Sequence, residues 1–191
     1  MIELIVIGTS AGGVEILQKL APAFKKSGKI KAFVVIHMSP SGPNLIPSLM
    51  AEDCELRVKE AEPGEPIEPD TIYVAPPDYH LSVEPNNIIT LSTEEPVNFS
   101  RPSIDVLFDS AAYAFGEKVL GILLTGSNND GARGLKKIQE QGGITIVQKP
   151  SDAEWSTMPT SAMEIMTPDH ILTANEIIKF ITDLSLEGKK I

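Results

Sequence analysis

Apolar residues along this chain follow two rhythms. Leu4-Ile5-Val6-Ile7, Phe33-Val34-Val35-Ile36 and Val119 to Leu124 are short continuous runs rich in Val, Ile and Leu. Runs of that kind are buried on both faces, the habit of parallel strands between helices. Between them the apolar positions recur every three to four residues, the helical period. The pattern predicts strands over 3–7, 31–36, 55–59, 71–75, 118–124, 144–148 and 170–172. It predicts helices over 13–25, 43–51, 102–115, 130–141, 159–166 and 174–186. Regular alternation of this kind points to the α/β class, a doubly wound and mostly parallel sheet between helix layers.

Local signals sharpen some boundaries. Pro102 suits a first helical turn, where its missing N–H is not needed. Thr173-Ala174-Asn175-Glu176 reads as a capping box opening the last helix. Leu81-Ser82-Val83 and Ile88-Ile89-Thr90 alternate around Pro85-Asn86-Asn87, which predicts an antiparallel hairpin added at or near a sheet edge. Residues 60–70, with Pro63, Gly64, Pro66 and Pro69, read as a loop. A split there would leave two pieces too small for separate cores, so residues 1–191 are expected to form one domain. The end from Glu187 to Ile191 is expected to fray.

Composition narrows the classes of function. Hydrophobic residues make up 42% of the 191, enough for a packed core. No apolar run approaches the roughly 20 residues that cross a bilayer. Met1-Ile2-Glu3 leads straight into a strand, without the basic region of an export signal. Cys54 is the only cysteine, so no internal disulfide forms. A cytoplasmic location and no membrane insertion are the expectation. Net charge is −10, from 16 basic and 26 acidic residues. Nucleic acid binding needs a basic footprint, and the densest cluster here is only Lys25-Lys26 with Lys29 and Lys31 around Gly28. The acidity reads as solubility.

Three of the apolar runs end in loops that carry chemistry. The first meets Gly8-Thr9-Ser10-Ala11-Gly12-Gly13, the second meets His37, and the third meets Thr125-Gly126-Ser127-Asn128-Asn129-Asp130-Gly131. Strands of an open parallel sheet share one carboxyl edge, where ligands bind. Ser10, His37 and Asp130 can therefore meet there as a hydroxyl, an imidazole and a carboxylate, the parts of an activated serine nucleophile. Gly8 to Gly12 matches G-x-S-x-G between a strand and a helix, a turn that exposes its serine. Its glycines allow a tight bend and close approach of substrate.

Other readings stand beside each of these. The glycine loop can cradle a phosphate, although neither G-x-G-x-x-G nor a P-loop lysine is present. It can also be a plain turn with a capping serine. His37 can serve packing alone. His80 reads as a turn or surface residue, and His170 as the start of a strand. Asp130 suits the N-cap of the helix that follows it. Asp105 and Asp109 are further acids in reach. The three histidines and one cysteine have no metal-ligand spacing, so no metal or other cofactor is expected. The order serine, histidine, aspartate differs from that of an α/β-hydrolase.

Several segments together carry a resemblance. They are Val6 to Gly13, Ile36-His37-Met38-Ser39-Pro40, Ile72 to Leu81, Arg101-Pro102-Ser103-Ile104-Asp105-Val106-Leu107-Phe108, Leu124-Thr125-Gly126 through Asp130-Gly131-Ala132, and Met158-Pro159. In this order they resemble the catalytic domain of CheB-type chemotaxis methylesterases, over nearly the whole chain. The resemblance implies Ser10, His37 and Asp130 as the catalytic residues and a doubly wound fold. It implies hydrolysis of glutamate γ-methyl esters on the cytoplasmic helices of methylated chemoreceptors, with release of methanol. Deamidation of receptor glutamines is implied as well. Ala11 stands where the family often has Thr, and Ser127-Asn128 where it often has Met-Gly. Many members carry an N-terminal receiver domain, and this chain starts at the esterase strand. The alternatives are a catalytically weak binding or scaffold protein on the same fold, and a nucleotide-binding module that uses the Gly8–Gly13 loop.

Overall fold

The computed structural model describes residues 1–39 and 42–187, and seven of its strands form one parallel sheet. β1 (Leu4–Thr9) is central, between β2 (Lys31–Ile36) and β7 (Val119–Leu123). Beyond β2 lie β4 (Thr71–Val74) and then β3 (Arg57–Glu60) at the edge. Beyond β7 lie β8 (Ile144–Gln148) and then β9 (His170–Leu172). The chain builds outward from β1 in one direction first and then in the other. The strand order reverses between β1 and β7, and ligands bind at such a reversal in open α/β sheets.

The period of two splits the sheet's side chains between two cores. Ile5, Ile7 and Val34 pack with Ile16, Leu17 and Leu20 of α1 (Gly13–Leu20), Met50 of α2 (Ile46–Ala51) and Ile177 and Ile181 of α6 (Ala174–Glu187). Leu4, Val6, Phe33 and Val35 pack with Ile104, Leu107 and Phe108 of α3 (Ile104–Phe115), Leu135 and Ile138 of α4 (Ala132–Glu140) and Met158 of α5 (Thr157–Ile165). All six positions of β1 are buried, as its unbroken apolar run required. Each aliphatic side chain buried there contributes about 1.5–3 kcal/mol of transfer free energy.

Several boundaries move. The helix predicted over 13–25 stops at Leu20 and continues as a 3₁₀ turn, Ala21–Ala23, because Pro22 cannot donate to the α-helical ladder. The helix predicted from 43 begins at Ile46, with Pro47 in its first turn. Pro102 lies outside α3, whose N-cap is Ser103. The capping box is present: the Thr173 N–H and hydroxyl both donate to Glu176 Oε2 at 2.8 Å.

The hairpin is present but sits elsewhere than expected. β5 (His80–Val83) and β6 (Ile89–Ser92) form a separate two-stranded sheet, while β3 and β9 occupy the edges of the main one. Its apolar face, Leu81, Val83 and Ile89, joins the core under α3, and the Ser110 hydroxyl of α3 bonds the Val83 N–H at 3.1 Å. An apolar face finds more to cover it on a helix than beside a strand edge. Of residues 60–70, Glu60 ends β3 and 61–70 are a loop, tied to the hairpin through Gly64 N–H to Ile89 O and Ile67 N–H to Asn87 O. Among the described residues no helix is long and apolar enough to cross a membrane. Residues 188–191 of the end expected to fray lie outside the described residues, as do Pro40 and Ser41 after β2.

Candidate active site

Backbone pairing alone places Ser10 beside His37. Thr9 is the last residue of β1 and lies opposite Ile36, the last of β2. The His37 N–H donates to Thr9 O at 3.2 Å, and the Ser10 N–H donates to Thr125 O at 3.0 Å. Ser10 thus stands at the carboxyl edge between the ends of β2 and β7, one residue past the ladder with β2 and two past the ladder with β7. Gly12, at φ +77°, then turns the chain into α1. Among the described residues the N–H groups of Ala11, Gly12 and Ser127 have no hydrogen-bond partner. The first two lie at the positive end of α1. Gly8 plays a different part from the one expected. It still belongs to β1, and a Cβ there would collide with the Ile104 side chain, so it gives room to α3 rather than to substrate.

Asp130 is fully buried. It does not cap the helix that follows it: the N-cap of α4 is Gly131, at φ +89°, and no side chain caps it. The carboxylate caps α3 instead, because the fold brings the N-terminus of α3 to the end of β7. The Ile104 N–H donates to Oδ2 at 2.6 Å, and the Asp105 N–H to Oδ1 at 3.2 Å. The Ser103 hydroxyl donates to Oδ1 at 2.8 Å and Asn98 Nδ2 to Oδ1 at 3.0 Å. His37 Nε2 lies 2.8 Å from Oδ2. Burial pushes the carboxyl up, but the bonds from His37, Asn98 and Ile104 outweigh it and hold it below the usual carboxylate range.

An ionised carboxylate only accepts, so the proton between Asp130 and His37 belongs to Nε2. That leaves Nδ1 of His37 as the acceptor. Asn128 Nδ2 lies 3.3 Å from it and the Ser100 hydroxyl 3.4 Å. Asn128 Oδ1 accepts the Asp130 N–H at 3.1 Å, so the amide nitrogen is the end that faces the ring. The Ser10 hydroxyl makes no hydrogen bond among the described residues. His37 and Asp130 are therefore joined directly, and Ser10 adjoins them through the main chain.

The rival residues have structural work. His80 is 2% exposed, not a surface residue. Its Nδ1 accepts the Ser103 N–H at 3.2 Å, and Nε2 faces Glu95 O at 3.2 Å. His170 begins β9, with its ring 5.3 Å from that of Phe180. Asp105 accepts from the Gly134 N–H at 2.7 Å, Arg133 Nε at 3.2 Å and Asn98 Nδ2 at 2.9 Å, while Asp109 is exposed. No three His, Cys, Asp or Glu among the described residues are grouped to hold a metal.

Pattern reading missed Asn98, Ser100, Ser103 and Asn128. Ser103 and Asn128 lie in motifs already singled out, but their partners are 27 and 91 residues away in sequence. A cleft of about 450 Å³ opens beside His37, lined also by Met38, Asp78, Phe99, Ser100 and Arg101. A larger groove of about 830 Å³ runs along α3 and α4, and none of Ser10, His37 and Asp130 lines it.

Residues 5–181 match the sequence model of the family described as CheB methylesterase. A Leptospira interrogans protein is 41% identical over 182 residues, covering 95% of this chain and 94% of that one. A Clostridium acetobutylicum protein, named protein-glutamate methylesterase/protein-glutamine glutaminase, is 35% identical over 187 residues. That match covers 96% of this chain and 54% of the relative. The crystal structure of the Thermotoga maritima CheB methylesterase catalytic domain superposes with a TM-score of 0.90 at 32% identity. It covers 96% of this chain and 99% of that one.

Proposed function

The chain belongs to the CheB methylesterase family, and from that premise we propose that it hydrolyses glutamate γ-methyl esters on the cytoplasmic helices of chemoreceptors. In this reading Ser10 is the nucleophile, His37 the base and Asp130 the orienting acid. Receptor glutamine amides are the second substrate, and the protein works in the cytoplasm. The carrying observation is the 2.8 Å contact between His37 Nε2 and Asp130 Oδ2, at the sheet edge directly beside Ser10.

Nδ1 of His37 takes the proton of the Ser10 hydroxyl as Oγ bonds to the ester carbonyl carbon. Asp130 keeps the Nε2 proton in place and stabilises the imidazolium. Negative charge on the carbonyl oxygen is met by free backbone N–H groups, with Ala11, Gly12 and Ser127 as the donors available. Loss of one such donor costs about 2.7–4 kcal/mol of barrier. The methoxy oxygen takes the Nδ1 proton and leaves as methanol, or the amide nitrogen does so and leaves as ammonia. Water then repeats the cycle and frees the glutamate carboxylate. Backbone donors do not depend on side chains, so Ala11 and Ser127 are compatible with this chemistry. The steps draw on the chain's own residues and water.

One observation favours a second reading, a binding protein that has given up turnover. Nδ1 faces Asn128 and Ser100 rather than Ser10. A serine-directed fluorophosphonate separates the two. Stoichiometric labelling of Ser10, together with methanol release from a methylated receptor fragment, is expected of the esterase. An unlabelled Ser10 and no methanol would leave the binding protein.

A further inference from the structure

The segment that bonds to both His37 and Asp130 ends in an exposed aromatic ring. The Ser100 N–H donates to Val97 O at 2.9 Å, and the Val97 N–H to Ser100 O at 3.2 Å, closing a two-residue turn. Its central residues, Asn98 and Phe99, lie at φ +51° and +62°. Positive φ at both central positions marks the hairpin turn for which Asn-Gly is preferred. Asn98 suits its place and bonds Asp130 and Asp105. Phe99 does not: its Cβ is disfavoured in the left-handed region. Phe99 is 105% exposed, the most exposed large apolar residue among the described ones. Neither packing nor backbone geometry accounts for it. Residues held in such conformations cluster where a ligand is engaged.

We propose that Phe99 is a specificity-determining residue, whose ring packs on an apolar side chain one helical turn from the glutamyl ester or amide. This rests on the methylesterase reading above. Phe99 lines the cleft beside His37 and directly precedes Ser100, which faces Nδ1. A helix that offers its glutamyl group to Ser10 carries its i±3 and i±4 side chains about 5–6 Å away. Charge offers little alternative hold there. Arg101 lines the same cleft, but its guanidinium is taken up by Asp78 at 2.7 Å and by the carbonyls of Thr93 and Glu94. Glu94 and Glu95 nearby are exposed acids. An apolar anchor is what the rim provides.

The test uses two helical peptides that differ one turn from a glutamate γ-methyl ester, one with Leu there and one with Ser. p-Nitrophenyl acetate, a small ester without a helix, reports the acyl-transfer chemistry separately. The wild type is expected to favour the Leu peptide by about tenfold in kcat/KM, through KM. Phe99→Gly is expected to abolish that preference, and Phe99→Trp to restore it. Glycine fits the left-handed turn, so the denaturation midpoint of Phe99→Gly should stay or rise. A lower midpoint would assign Phe99 a structural role and overturn the proposal. Equal use of both peptides by the wild type, with p-nitrophenyl acetate still cleaved, would overturn it while the esterase reading stands. Failure on all three substrates would sink both.

Discussion

The two ends of the site are built in opposite ways. Asp130 is buried and meets five donors from three segments: His37, Asn98, and the run of Ser103 hydroxyl and the N–H groups of Ile104 and Asp105. Ser10 is held by its backbone, and its hydroxyl is unpaired among the described residues. A buried charge is tolerable only when its lone pairs are satisfied, so the acid's surroundings are tightly determined. The nucleophile proposed at Ser10 must instead be free to meet substrate. The acid end is therefore part of the stability of the fold, and the serine end is not.

The sharpest way to break that contrast is Ser10→Ala. It should lower kcat for methanol release about 10⁶-fold. It should leave unfolding free energy within about 0.5 kcal/mol of wild type, as read by urea denaturation. A stability loss of several kcal/mol would mean that the serine end is structural after all.

Asp130→Asn should act on both quantities. An amide presents donors to donors, so kcat should fall about 10⁴-fold and stability by about 3 kcal/mol. pH separates charge from shape. The folded carboxyl of Asp130 is held below its ordinary value. Its contribution is thus complete above the unfolded carboxylate pKa, near about 4, and is lost as pH falls through the lower folded value. Acid should narrow the stability gap between wild type and Asp130→Asn. A gap that widens in acid would reverse the assignment.

Asn98→Ala gives the smallest of these effects. It removes one bond to Asp130 and one to Asp105 and should cost about 1–3 kcal/mol. Activity should fall about 10- to 100-fold as His37 loses part of its alignment. Full activity in that variant would show that the remaining four donors hold the carboxylate unaided.

Much of this fold was readable from local pattern. The unbroken run Leu4 to Ile7 announced a strand covered on both faces, and the run from Val119 did the same. Thr173 and Glu176 announced a cap that only four consecutive residues need to make. The hairpin's turn was visible in Pro85-Asn86-Asn87, but its place was not, because that depended on whether α3 or a strand edge would cover Leu81 and Val83. His80 misled for the same reason. Its burial follows from Ser103 and Glu95, neither of them near in sequence.

The site divides along the same line. That Ser10 and His37 adjoin follows from two buried strands pairing in parallel, and period and composition determine that much. Which helix Asp130 caps was decided elsewhere. Local chemistry favoured its own helix, α4, yet the packing of α3 across β1, with Gly8 making room for Ile104, brought a foreign helix N-terminus to the carboxylate. Hydrogen bonds and caps act over a few ångströms, and sequence distance says little about which groups come that close until the cores have packed.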